Sequence, residues 1–121
     1  MLVSIVALDG RDDDALLALA AGAARGLDAS LGAAILDSAR ERDIEMPSVD
    51  QLQEAAGAGV VAAINGKTVV VGNAVLFENL GLALTRFGNW PERLQQRGQQ
   101  VLFVAVDGKA AGFLGVIDSA V

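Results

Sequence analysis

Gly57-Ala58-Gly59-Val60-Val61-Ala62-Ala63-Ile64-Asn65-Gly66-Lys67-Thr68-Val69-Val70-Val71-Gly72-Asn73 reads as a β-hairpin, and the rest of the chain arranges itself around it. Val60 to Ile64 and Lys67 to Val71 are strand-forming runs separated by Asn65-Gly66. Asn-Gly between two such runs is the strongest short hairpin signal, because a two-residue type I′ turn needs positive φ at both positions. Gly57 and Gly59 open the hairpin, and Gly72-Asn73 closes it. Paired glycines let a backbone approach a ligand closely and aim amide donors at it. They serve equally as a plain turn or bulge before a strand. A dinucleotide fingerprint needs a strand before its glycines and a helix after them. Here a strand follows, which excludes a Rossmann unit, and no Walker A sequence is present.

Downstream, Ala74 to Leu80 predicts a short helix stopped by Gly81, with Asn73 placed as its N-cap. Asn89 is placed to cap another helix, with Pro91 in the first turn and Gly98 just past the end. Gln100 to Val106, Asp107-Gly108 and Lys109 to Ile117 form a second hairpin. Upstream, Leu2 to Leu8 predicts a strand ended by an Asp9-Gly10 turn. Asp12, Asp13 and Asp14 suit a helix N-terminus, and Leu16, Leu17, Ala20, Ala21 and Ala24 follow at helical spacing up to a stop at Gly26. A second helix starts at Ser30 as N-cap, carries Leu31, Ala34, Ile35, Ser38 and Arg42 on one face, and ends before Pro47. The expected class is α+β: an antiparallel, hairpin-rich sheet of about six strands with helices packed on its faces.

With 121 residues, the chain suits one compact domain. It is 53% hydrophobic but only 4% aromatic, so the core is built from Ala, Val, Leu and Ile. The lack of cysteine excludes disulfides and thiolate metal sites, and the lack of histidine removes the commonest general base and soft-metal ligand. The net charge of −6, with no basic stripe, argues against a nucleic-acid partner. No apolar run approaches the ~20 residues that span a bilayer, and the Met1 to Leu8 segment is too short for a signal peptide.

Taken in order, the Gly-x-Gly loop, the first hairpin, Val71-Gly72-Asn73 and the segments Gln99 to Lys109 and Ala111 to Asp118 carry a family likeness. Across nearly its whole length, the chain resembles the nucleotide-binding (N) domain of the heavy-metal-transporting P-type ATPases (copper, zinc and cadmium pumps). That family shows a Gly-x-Gly-x-x-Gly loop, a hairpin, a Val-Gly-Asn motif and a Val-Asp-Gly segment in this order, preceded by two helices like those expected from Ala15 to Arg42.

The resemblance implies a domain that binds ATP, with Mg2+ accompanying the nucleotide, and presents the γ-phosphate to an aspartate of a neighbouring phosphorylation domain. It implies partners in the phosphorylation and actuator domains of the same polypeptide, an isolated domain that is monomeric, and a cytoplasmic position in an integral protein of a bacterial-type plasma membrane. Residues 1–121 would form one domain, bounded at both ends by the hinge to the phosphorylation domain. The Asp-Lys-Thr-Gly-Thr sequence holding the phosphorylated aspartate is not in this chain, so these residues alone would not be catalytic.

Gly57, Gly59, Gly72 and Asn73 match nucleotide-lining positions of the family, and adenine would sit against apolar side chains up to Val61. Asn73 retains both readings, cap and ligand contact. The departures are specific. The family's Ser-Glu-His-Pro signature is Leu27-Asp28-Ala29-Ser30 here. Ala29 stands for the histidine, Ser30 for the proline, and Asp28 keeps a carboxylate. An upstream glutamate falls on Ala24, and the third loop glycine is Ala62. Each lost hydrogen bond or stacking contact is worth roughly 1–3 kcal/mol. The expectation is therefore weakened or atypical nucleotide binding. The alternatives are a degenerate regulatory or structural domain without useful nucleotide affinity, and an unrelated α+β interaction module. Asp12 to Asp14, Arg40 to Arg42, Lys67 and Lys109 read as solvated charges, and Trp90 as packing beneath the helix from Pro91.

Overall fold

The computed structural model describes residues 1–8, 10–55 and 58–117. Asp9, Gly57 and Asp118, each part of an expectation above, lie outside them. Six antiparallel strands form one sheet in the order β1-β6-β5-β4-β3-β2. The strands are β1 (Leu2–Ala7), β2 (Val49–Ala55), β3 (Gly59–Ile64), β4 (Lys67–Gly72), β5 (Gln100–Val106) and β6 (Lys109–Val116). The helices are α1 (Asp13–Ala23), α2 (Ala29–Glu41), α3 (Ala74–Asn79) and α4 (Trp90–Gln96). Both hairpin turns have the expected backbone: Asn65 and Gly66 at φ 52° and 77°, Asp107 and Gly108 at 50° and 82°.

The pleat divides the sheet's side chains between two cores. Val60, Ala62, Ile64, Val69 and Val71 meet Leu16, Leu17 and Ile35 of α1 and α2 on one face. Val70, Phe103 and Phe113 meet Phe77 of α3, Phe87 and Leu94 of α4 on the other. The four phenylalanines are thus gathered: Phe103 lies 5.5 Å from Phe77 and 4.9 Å from Phe87, and Phe87 lies 5.6 Å from Phe113. Met1 and Ile117 exchange backbone hydrogen bonds, so β1 and β6 are tied where both leave the sheet.

Several local expectations are corrected. Asp28, not Ser30, caps α2: its carboxylate accepts the Ser30 N–H at 3.4 Å, and Ser30 is already helical. Gly26 does not stop α1 in a left-handed conformation. It ends a 3-10 turn (Ala24–Gly26), and a Cβ there would press on Leu52 Cδ2 at 2.9 Å and on Val60, so glycine is needed for helix–sheet contact. Asn89 makes no side-chain cap to α4, because its backbone (φ −92°, ψ 1°) is not the extended one that aims a capping oxygen. Trp90 is 50% exposed, with the Arg93 guanidinium 5.7 Å above its ring, and Leu94 fills the space under α4 instead. The acidic start of α1 and basic end of α2 meet through Asp14 and Arg42 at 2.9 Å, an exposed pair worth ~1 kcal/mol at most.

Candidate functional site

A cleft of about 710 Å³ opens at the end of the sheet where β2 and β4 finish and β3 and β5 begin. That volume is in the range of small-molecule sites. Its apolar lining combines Leu31 and Leu102 of the α1/α2 core with Val101 of the α3/α4 core, each under 10% exposed. Its rim carries Asp28, Glu54, Asn73, Gln95 and Gln100. These residues come from α2, β2, β4–α3, α4 and β5, so only the assembled fold creates the cleft.

Of the residues singled out from sequence, Asp28, Gly59 and Asn73 are brought together here. Asn73 caps α3, its Oδ1 accepting the Leu76 N–H at 3.1 Å. Its own N–H donates to the Ala58 carbonyl at 2.9 Å, and the Ala58 N–H donates to Ala55 at 2.8 Å. The loop is therefore cross-braced by its own amides. Gly59 and Gly72 face each other across β3 and β4. A Cβ on Gly72 would strike the Ala58 carbonyl and Leu76 Cδ2, so Gly72 is buried beneath the loop as a spacer. If the cap holds α3 in place, Asn73→Ala should cost about 1 kcal/mol of stability and Asn73→Asp much less. A chemical-denaturation comparison of the two variants checks this.

The remaining positions lie elsewhere. Val61 lies on a shallow groove with Gln51, Gln53 and Thr68, on the sheet's opposite side from Val60. Ala62 is 3% exposed in the α1/α2 core, so the third-glycine position contributes packing volume rather than ligand contact. Ala24 is also buried, and Ala29 and Ser30 are exposed in the first turn of α2 beside Asp28. Glu54, Gln95 and Gln100 were not singled out from sequence. Glu54 belongs to β2, a strand without the alternation that would have marked it.

Electrostatically, the cleft has one sign. Among the described residues that line it, Asp28 and Glu54 are the charged ones, and none is Lys or Arg. Among the described residues, no group of three or more His, Cys, Asp or Glu is placed to hold a metal ion. No helix among them is long and apolar enough to cross a membrane.

The sheet order, the two helical layers and the sheet-end cleft define the N-domain fold of the P-type ATPases. A crystal structure of the N-domain of a copper-transporting P-type ATPase superposes with TM-score 0.79 at 20% identity, covering 98% of this chain and 99% of that one. A catalytic domain of a CPx-ATPase, described in terms of conformational changes upon nucleotide binding, superposes with TM-score 0.61 at 16% identity, covering 98% of this chain and 38% of that one. A copper-exporting P-type ATPase of Legionella pneumophila is 35% identical over 117 residues, 97% of this chain and 16% of that protein. The chain belongs to the heavy-metal-transporting P-type ATPase family and corresponds to its N domain. It spans 13% to 16% of the length of such curated relatives. No protein-family model matches it.

Proposed function

We propose that this domain holds ATP by its nucleoside in the sheet-end cleft and offers the γ-phosphate to the phosphorylated aspartate of a neighbouring domain in a heavy-metal pump. The observation that carries this reading is the convergence of Asp28, Gly59 and Asn73 on one cleft with an apolar lining. The base would lie on Leu31 and Leu102, which share the α1/α2 face of the sheet, where area leaves water at about 25 cal/mol per Å². Asn73 and the Gln95 and Gln100 amides supply hydrogen-bond donors and acceptors at the rim. Among the described residues no cluster of three or more His, Cys, Asp or Glu offers a cage for Mg2+, so the ion would travel on the phosphates and neutralise them. Chemistry would occur outside this domain, whose part is to bind and orient.

On this reading the domain is the cytoplasmic, nucleotide-binding part of a membrane pump whose phosphorylation and actuator domains are its partners. The rival reading is a scaffold that has lost nucleotide affinity, motivated by Ala24, Ala29 and Ser30 at signature positions. Amide chemical shifts followed during addition of MgATP, MgADP and AMP separate the two. Saturable shifts at Gly59, Gly72, Asn73 and Val101 are expected. Silence at millimolar nucleotide would leave only the scaffold.

A further inference from the structure

We propose that the outer surface of α4, with the groove that runs between α3 and α4, is a docking site for an acidic protein segment that carries an apolar side chain.

Trp90 is the chain's only tryptophan, and half of it is exposed, although a ring of that size normally buries most of its area. Trp90, Arg93 and Arg97 recur at spacings of three and four along α4, Arg97 being the residue that ends it. Residues so spaced lie on one side of a helix. All three are exposed, while Leu94 is buried beneath the helix. The Arg93 guanidinium lies 5.7 Å above the Trp90 ring, within cation–π reach, which holds the two together as one surface. Among the described residues neither Arg93 nor Arg97 forms an ion pair.

Alongside this stripe is a groove of about 380 Å³ lined by Val75, Leu84, Pro91 and Phe103. Val75 is 55% exposed, so the groove opens onto an apolar lip. Its volume accommodates an apolar side chain. A pocket for an apolar anchor beside tryptophan and arginine is the composition of an interface hot spot.

Charge selects the occupant. Residues 79–106 hold three arginines against the single acid Glu92, a net +2 within a chain of net −6, so the remaining residues sum to −8. An acidic partner is repelled by most of the domain and attracted to this part of it, which fixes where and how it approaches. Arg93 and Arg97 are too few to serve a nucleic-acid backbone, whose partners neutralise several phosphates. With seven residues, α4 is too short to lay a broad apolar face into a bilayer surface. Carboxylates on the arginines and one apolar side chain in the groove use both features at once.

The test uses Trp90 itself, since with no tyrosine in the chain it dominates the emission. The whole domain is titrated at low salt with a synthetic peptide of glutamates carrying one leucine. A saturable blue shift is expected, and high salt should weaken it. Arg93→Gln combined with Arg97→Gln should lower the affinity about three- to tenfold. Lys67→Gln combined with Lys109→Gln makes the same change in net charge at the hairpin turns and should leave the affinity within about twofold. All four side chains are exposed, so circular dichroism of both variants should match the parent. No saturable response at millimolar peptide overturns the proposal, as does equal weakening by the two double variants. Tighter binding of phosphatidylglycerol vesicles or of a single-stranded oligonucleotide than of the peptide overturns it in favour of that class. Self-association of the domain that only the arginine variant abolishes overturns it in favour of a second copy.

Discussion

Gly59→Ala should destabilise the domain by about 3–5 kcal/mol, enough to unfold much of the population of a marginally stable domain. Two independent effects act on the same methyl group. The backbone at Gly59 has φ +147°, which L residues rarely adopt. The added Cβ would also run into the Val71 carbonyl oxygen and the Gly72 Cα, with Leu76 Cδ2 at 2.9 Å. Backbone of a paired strand cannot swing aside as the tip of a side chain can. Relief would mean parting β3 from β4 at the end of the hairpin that supports the cleft. Gly66→Ala is the control. Its φ is +77° but nothing lies within 4 Å of the new methyl, so the cost should be only about 1 kcal/mol. Urea unfolding of the two variants beside the parent measures both. Equal losses would show that conformation alone decides, and that close strand packing at Gly59 contributes nothing.

That contrast bears on what could be read from the residues. Wherever a hairpin turn fixed the chain's direction, the sequence was explicit. Asn65-Gly66 and Asp107-Gly108 demand positive φ, and four of the six strands follow from those two turns. The helices on both faces followed from spacing, whereas of the capping residues read from sequence Asn73 caps its helix and Ser30 and Asn89 do not. β2 was invisible because it is an edge strand with water on most of its surface. Val49-Asp50-Gln51-Leu52-Gln53-Glu54-Ala55 buries only Leu52 and Ala55 in part, so no alternation survives to be recognised. The same cause hid Glu54, and through it half of the cleft's charge. Ordered motifs brought Asp28, Gly59 and Asn73 forward, but motif order carries no depth. It could not tell that Ala62 lies inside the core, that Gly72 is a spacer, or that Val61 points away from the cleft. Those distinctions depend on which face of a strand a residue takes and on what crosses it, and both are settled by partners distant in sequence.

The second large effect is expected at Phe103, because so few aromatic rings hold the α3/α4 layer. Phe103 is 4% exposed and pairs with Gly72 on one side and Phe113 on the other. Its ring is tilted against both Phe77 and Phe87, so it joins α3 to the segment leading into α4. Phe103→Ala should cost about 3–5 kcal/mol, combining lost burial, two aromatic contacts and a cavity. Little nearby can collapse into the space: Gly72 opposite has no side chain, and Phe77, Phe87 and Phe113 are already packed. Phe103→Leu keeps most of the volume and should cost about 1–2 kcal/mol. Val101 and Leu102, just before Phe103 in β5, line the cleft. The alanine variant should therefore lose nucleotide-induced shifts at Val101 in step with its stability, and the leucine variant should keep them. The outcome against this account is an alanine variant as stable as the leucine one, since the α3/α4 layer would then be held by something other than its rings.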